Sequence, residues 1–98
     1  MRLPRLSSKE LLILRLLVTQ GEAYGLELVE GSNGRLKRGT IYVTLSRMQD
    51  KGYVTSAKET VNPDSLGPPR RTYRPSAYGS QVLRAWEMAG LVLGREVT

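Results

Sequence analysis

The chain has 98 residues, 40% of them hydrophobic and 24% charged, with a net charge of +6 and neither Cys nor His. That length and balance describe one soluble domain with a single core. The two absences exclude disulfides, thiol nucleophiles and Ser-His or Cys-His pairs, and they remove the commonest metal ligands.

No apolar run approaches the ~18 residues of a membrane span. Met1-Arg2-Leu3-Pro4-Arg5 leads into polar Ser7-Ser8-Lys9-Glu10, not into the apolar core of a signal peptide. No membrane partner and a cytoplasmic location are therefore expected. Ser7-Ser8-Lys9-Glu10 has capping-box spacing and predicts a helix through Leu11, Leu12, Ile13, Leu14, Leu16, Leu17 and Val18 that stops before Gly21. These apolar residues are too many for one stripe, so both sides of the helix should be covered. In so short a chain another subunit is one source of that cover. A second helix is expected over 23–30, ended by the turn residues Gly31-Ser32-Asn33-Gly34.

A third helix is expected over 40–51, with Gly52 just past its end. Its faces differ: Ile41, Leu45 and Met48 share an apolar side, while Thr40, Thr44, Arg47 and Lys51 share a polar, cationic one. Strand candidates follow over 53–59 and 70–74, joined by the Pro- and Gly-rich loop 62–69, which makes a two-stranded hairpin with a long tip. The last helix should be capped by Ser76 and run over 77–93, with Gly79, Val82, Leu83, Trp86, Ala89, Gly90 and Leu93 along one face. Its two glycines cost roughly 1 kcal/mol each against Ala, which points to close helix approach.

The charge is segregated. Residues 35–74 hold nine cations and three anions, so the whole excess of +6 lies in this segment. A basic segment between neutral ends reads as a footprint for a polyanion, nucleic acid above all. Three helices, a hairpin and a final helix is moreover the order of a winged helix-turn-helix protein. In that arrangement the third helix enters the major groove and the wing lays cations along the backbone.

Four segments resemble the PadR-like winged-helix transcriptional regulators. They are the opening helix Lys9-Glu10-Leu11-Leu12-Ile13-Leu14-Arg15-Leu16-Leu17, the segment Ala23-Tyr24-Gly25-Leu26-Glu27-Leu28, the segment from Gly39-Thr40-Ile41-Tyr42 to Lys51-Gly52-Tyr53-Val54, and Arg70-Arg71-Thr72-Tyr73-Arg74 with Ser76-Ala77-Tyr78-Gly79. The family usually has Pro where Val43 stands and Thr where Ser76 stands. The resemblance implies a mainly α (α+β) winged helix-turn-helix domain over 1–75, a C-terminal dimerisation helix over 76–98, and a sequence-specific regulator. It is expected to be a repressor binding a palindromic operator in double-stranded DNA as a homodimer.

Base readout would then fall to Thr44 and Arg47, with Tyr42 and Val43 beside them. Lys37, Arg38, Thr40, Lys51, Lys58, Arg70 and Arg71 would position the protein on phosphates. The surplus apolar residues Leu12, Leu16, Val82, Leu83, Trp86, Ala89 and Leu93 would form the dimer interface. Tyr42 fits a packed core-edge position equally well, and Glu22, Glu27 and Glu30 without His make a poor metal site. No cofactor is expected, and nothing singles out a small-molecule effector. A different class stays open: a winged-helix interaction module whose basic face docks an acidic protein. An enzyme would have to rest on Lys, Tyr or carboxylates alone, and no grouping of them points that way.

Overall fold

Four helices and three short strands follow one another in a computed structural model that describes residues 3–59 and 70–97, with side chains described as far as Gly90. In chain order they are α1 (Ser8–Gln20), β1 (Ala23–Tyr24), α2 (Gly25–Glu30), α3 (Ile41–Asp50), β2 (Val54–Lys58), β3 (Arg71–Pro75) and α4 (Ala77–Val97). The expected capping box opens α1: Ser7 Oγ accepts the Glu10 N–H at 3.1 Å, and Glu10 Oε1 accepts the Ser7 N–H at 2.9 Å. Gly21 closes the helix at φ +86°, its N–H bonded to the Leu17 carbonyl.

The expected two-stranded hairpin is a three-stranded antiparallel sheet in the order β1-β3-β2. Residues 23 and 24, expected to begin the second helix, are a strand instead: Ala23 pairs with Tyr73 and Tyr24 with Thr72. Tyr24 is extended and its N–H donates to the Glu27 carboxylate at 2.8 Å, so α2 begins only at Gly25. The turn between α2 and α3 is held by buried Ser32, whose hydroxyl donates to the Val29 carbonyl at 2.7 Å and accepts the Leu36 N–H at 2.9 Å. Asn33 and Gly34 supply the left-handed φ values of +53° and +83° that turn the chain there.

One core gathers Ile13, Leu14 and Leu17 of α1, Leu28 of α2, Ile41, Leu45 and Met48 of α3, Tyr53, Val54 and Tyr73 around the sheet, and Val82 and Leu83 of α4. The apolar face read for α3 is the face it buries. The last helix differs from expectation in two ways. Val82 and Leu83, assigned to a partner-facing stripe, are 3% and 4% exposed within the single chain and so belong to its own core. Gly79 does permit a close approach, but to backbone: a Cβ there would collide with the Tyr53 carbonyl oxygen, while among the described residues Gly90 meets nothing within 4 Å. Ser76 caps α4 as expected, accepting the Gly79 N–H at 2.8 Å and donating to the Gly52 carbonyl. Among the described residues, no helix is long and apolar enough to cross a membrane.

Candidate nucleic-acid interface

With Ile41, Leu45 and Met48 turned into the core, helical geometry sends Thr40, Val43, Thr44 and Arg47 outward. Thr40 is the N-cap residue of α3, and its carbonyl accepts the Thr44 hydroxyl at 3.1 Å. That bond fixes the Thr44 rotamer and leaves its oxygen lone pairs to accept from a ligand. Val43 is 55% exposed, an apolar side chain in water on an otherwise polar face. Tyr42 is 49% exposed and its ring lies over Gly25, where an added methyl would come within 2.7 Å of it. The bare backbone at the start of α2 is thus what seats this ring at the rim of the outward face of α3.

Lys37 and Arg38 are exposed in the turn before α3, and the Lys37 carbonyl accepts the Thr40 and Ile41 N–H groups at 3.2 and 3.0 Å. Lys51 ends the helix, but its ammonium sits 2.8 Å from the Glu10 carboxylate, whose side chain is only 7% exposed. Burial pushes the Glu10 carboxyl up. The hydrogen bond and charge of Lys51, with the bonds from Ser7, outweigh this and hold it below its ordinary value. Lys51 therefore neutralises the carboxylate that the start of α1 brings to the edge of this face.

The wing cations have local partners as well. The Arg70 guanidinium lies 5.0 Å over the Tyr24 ring, and the Tyr24 hydroxyl donates to Glu59. Arg71 donates to Ser56 Oγ at 3.0 Å, and Ser56 donates to the Gln49 side chain of α3 at 3.0 Å. This relay, invisible in the sequence, ties the sheet to the exposed helix. Lys58 is exposed opposite Arg71 in the β2–β3 register. The hairpin tip, 60–69, lies outside the described residues.

Of the residues assigned to a dimer interface, Leu12, Leu16, Trp86 and Ala89 are half-buried, whereas the Leu93 side chain lies outside the described ones. Trp86 has a role its sequence position did not show: its Nε1–H donates to the Pro4 carbonyl at 2.7 Å. Arg5 and Lys9, also missed, flank Arg47 across an open cleft between the start of α1 and α3. The signal available in the sequence was weak, two cations near the start of a chain whose central segment is far more basic.

A helical core that presents an outward polar helix beside a small antiparallel wing defines a winged helix-turn-helix protein. A crystal structure of a PadR family transcription regulator from hypervirulent Clostridium difficile R20291 is similar to it, at 26% identity over 91% of this chain and 93% of that one, with a TM-score of 0.77. A PadR family transcriptional regulator from Eggerthella lenta is similar at 27% identity, 88% and 77% coverage and a TM-score of 0.71. A candidate transcriptional regulator from Thermoplasma acidophilum is similar at 30% identity, 89% and 82% coverage and a TM-score of 0.69. No curated protein matches the chain. The sequence model of the Transcriptional regulator PadR-like family matches residues 13–85, and the chain belongs to that family. Its members are transcription regulators and not enzymes, and DNA is the partner the family implies.

Proposed function

We propose that this regulator binds a palindromic operator in double-stranded DNA as a homodimer and represses transcription in the cytoplasm. The carrying observation is the outward face of α3, where Val43, Thr44 and Arg47 stand opposite a fully buried apolar side. In the major groove Arg47 would donate to guanine O6 and N7, Thr44 would accept from a base amino group, and Val43 would touch a thymine methyl. Tyr42, Thr40, Lys37, Arg38 and the wing cations Lys58, Arg70 and Arg71 would set the register on phosphates. Lys51 contributes by cancelling Glu10.

A single recognition helix reads too few base pairs for tight specific binding at physiological salt, so two copies on half-sites about one helical turn apart are the natural unit. Support for a dimer comes from the apolar surface left on one chain: half-buried Leu12, Leu16, Trp86 and Ala89, with Met88 at 63% exposure. We place the partner's α1 against α4 along these residues, residues 76–98 acting as the dimerisation element beyond a winged domain over 1–75. A dimer seated over two successive grooves excludes other proteins from that DNA, the most direct route to repression.

The test is selection of bound duplexes from a random pool by the wild-type protein. An enriched inverted repeat supports the reading. Enrichment of a single half-site removes the dimer, and no enrichment together with capture of acidic proteins replaces DNA reading with protein docking.

A further inference from the structure

We propose that residues 4–9, ahead of and opening α1, form a DNA-backbone clamp in which Arg5 and Lys9 receive a phosphodiester of the duplex that α3 enters. The inference rests on the proposed DNA-reading role of α3 and extends its footprint to a part of the chain outside the basic central segment. Arg5 and Lys9 form one side of an open cleft of about 610 Å³, and Thr44, Arg47 and Lys51 form the other. The one carboxylate in the lining, Glu10, is already matched by Lys51 at 2.8 Å. Among the described residues Arg5, Lys9 and Arg47 pair with no carboxylate. The cleft therefore carries an uncompensated positive charge beside the reading helix.

The clamp is also ordered in advance. Trp86 Nε1 donates to the Pro4 carbonyl at 2.7 Å, and the Tyr53 hydroxyl donates to the Arg5 carbonyl at 3.0 Å. The capping box then fixes Ser7, and the Glu10–Lys51 pair fastens the first turn of α1 to the end of α3. Two successive carbonyls are thus anchored from α4 and from the start of the wing, and the exposed Arg5 side chain takes part in neither bond. Cations on a fixed backbone lose less conformational freedom on binding than cations on a loose arm. Their chemistry matches a phosphate oxygen: Arg offers a planar fork and Lys a point charge. A base edge is excluded by position, because both cations stand across the cleft from α3 and not on its outward face.

The test measures affinity for a random-sequence duplex over a range of NaCl. Arg5→Ala/Lys9→Ala should lower the slope of log K against log salt by about 0.9 for each phosphate no longer neutralised. The loss should be the same on a selected operator, with an unchanged melting temperature. The charge-matched variant Arg15→Ala/Arg84→Ala, whose residues lie outside the cleft lining, should keep the wild-type slope. An unchanged slope for Arg5→Ala/Lys9→Ala, or an equal fall in both variants, overturns the clamp. Exchange of NaCl for sodium phosphate at matched ionic strength should leave wild-type affinity unchanged. Inhibition by phosphate that disappears in Arg5→Ala/Lys9→Ala would reassign the cleft to a free anion and overturn the clamp too. Failure of the wild type to bind any duplex overturns the DNA-reading role itself, a result distinct from normal duplex binding by the Arg5→Ala/Lys9→Ala variant.

Discussion

Lys51 Nζ lies 2.8 Å from Glu10 Oε2, so the residue that ends α3 is fastened to the first turn of the chain's first helix. The carboxylate is buried and the ammonium is 43% exposed, an unequal pair in which loss of the partner costs the acid more than the base.

The pair carries a pH signature. The Glu10 carboxyl is held below its ordinary value of 4.5. Its contribution to stability is therefore complete above pH 4.5 and is lost as pH falls through the lower, folded value. Glu10→Gln should flatten this acid limb in thermal melts taken from neutral to acid pH. Lys51→Met, which leaves the buried carboxylate short of a partner, should cost about 1–3 kcal/mol near neutral pH. A Glu10→Gln protein with the wild-type acid profile would show that the pair carries no linkage.

Gly79 is a position where volume decides. Gly79→Ala would drive a methyl into the Tyr53 carbonyl, which also accepts the Ser76 N–H at 3.0 Å. Backbone cannot step aside as a side-chain tip can, so a loss of about 1–3 kcal/mol or more is expected in urea unfolding. Gly90→Ala, whose new methyl meets nothing within 4 Å among the described residues, should be neutral or stabilising. Equal effects at the two positions would contradict this packing.

Arg47→Ala should lower affinity for the selected operator by about 1–3 kcal/mol and relax preference at one base position. Binding to operator and random duplexes is compared by titration at one salt concentration. Equal weakening on both would demote Arg47 from base reader to phosphate contact.

In the wing, Arg70→Ala/Arg71→Ala should weaken all duplexes alike and reduce the salt slope by about 0.9 for each phosphate that the pair had neutralised. Both residues already have partners, Arg70 over Tyr24 and Arg71 on Ser56. Weaker binding with an unchanged slope would confine them to bracing the sheet.

Trp86 combines an observed bond to Pro4 with a proposed dimer contact, and two variants divide them. Trp86→Ala removes ring and donor, and should shift the protein toward monomer in sedimentation at micromolar concentration. Trp86→Phe keeps an apolar ring and deletes the Nε1–H that reaches Pro4. It should keep the dimer while loosening residues 4–9, seen as faster amide exchange there. A monomeric wild type, on and off DNA, would remove the dimer.

Much of this molecule is legible in its residues because the signals are local. The Ser7–Glu10 box, the division of α3 into Ile41-Leu45-Met48 and an opposite polar face, and the Ser76 cap each depend on neighbours within two helical turns. What escaped depends on distance along the chain. A strand of two residues such as β1 is too short to show a period, and it exists only because β3 offers it an edge. Val82 and Leu83 carry the same helical spacing whether they meet their own core or a partner. The bonds from Trp86 to Pro4 and from Tyr53 to Arg5 span 82 and 48 positions, beyond any local pattern. Lys51 and Arg71 read as phosphate-contacting cations, and their partners Glu10 and Ser56 escaped for the same reason, being set only by the fold.

The middle place of β3 in the sheet has a mechanical meaning. It hydrogen-bonds on one side to β2, which follows α3, and on the other to β1, which runs directly into α2. The wing cannot pivot against the helix-turn-helix without breaking the β1–β3 pairs, and the Arg71–Ser56–Gln49 relay stiffens the same corner. α3 and the wing are thus one casting. In a dimer built on α4, the distance between two such castings would be set at that joint alone, so operator spacing and base preference could drift independently as the two ends of the chain change.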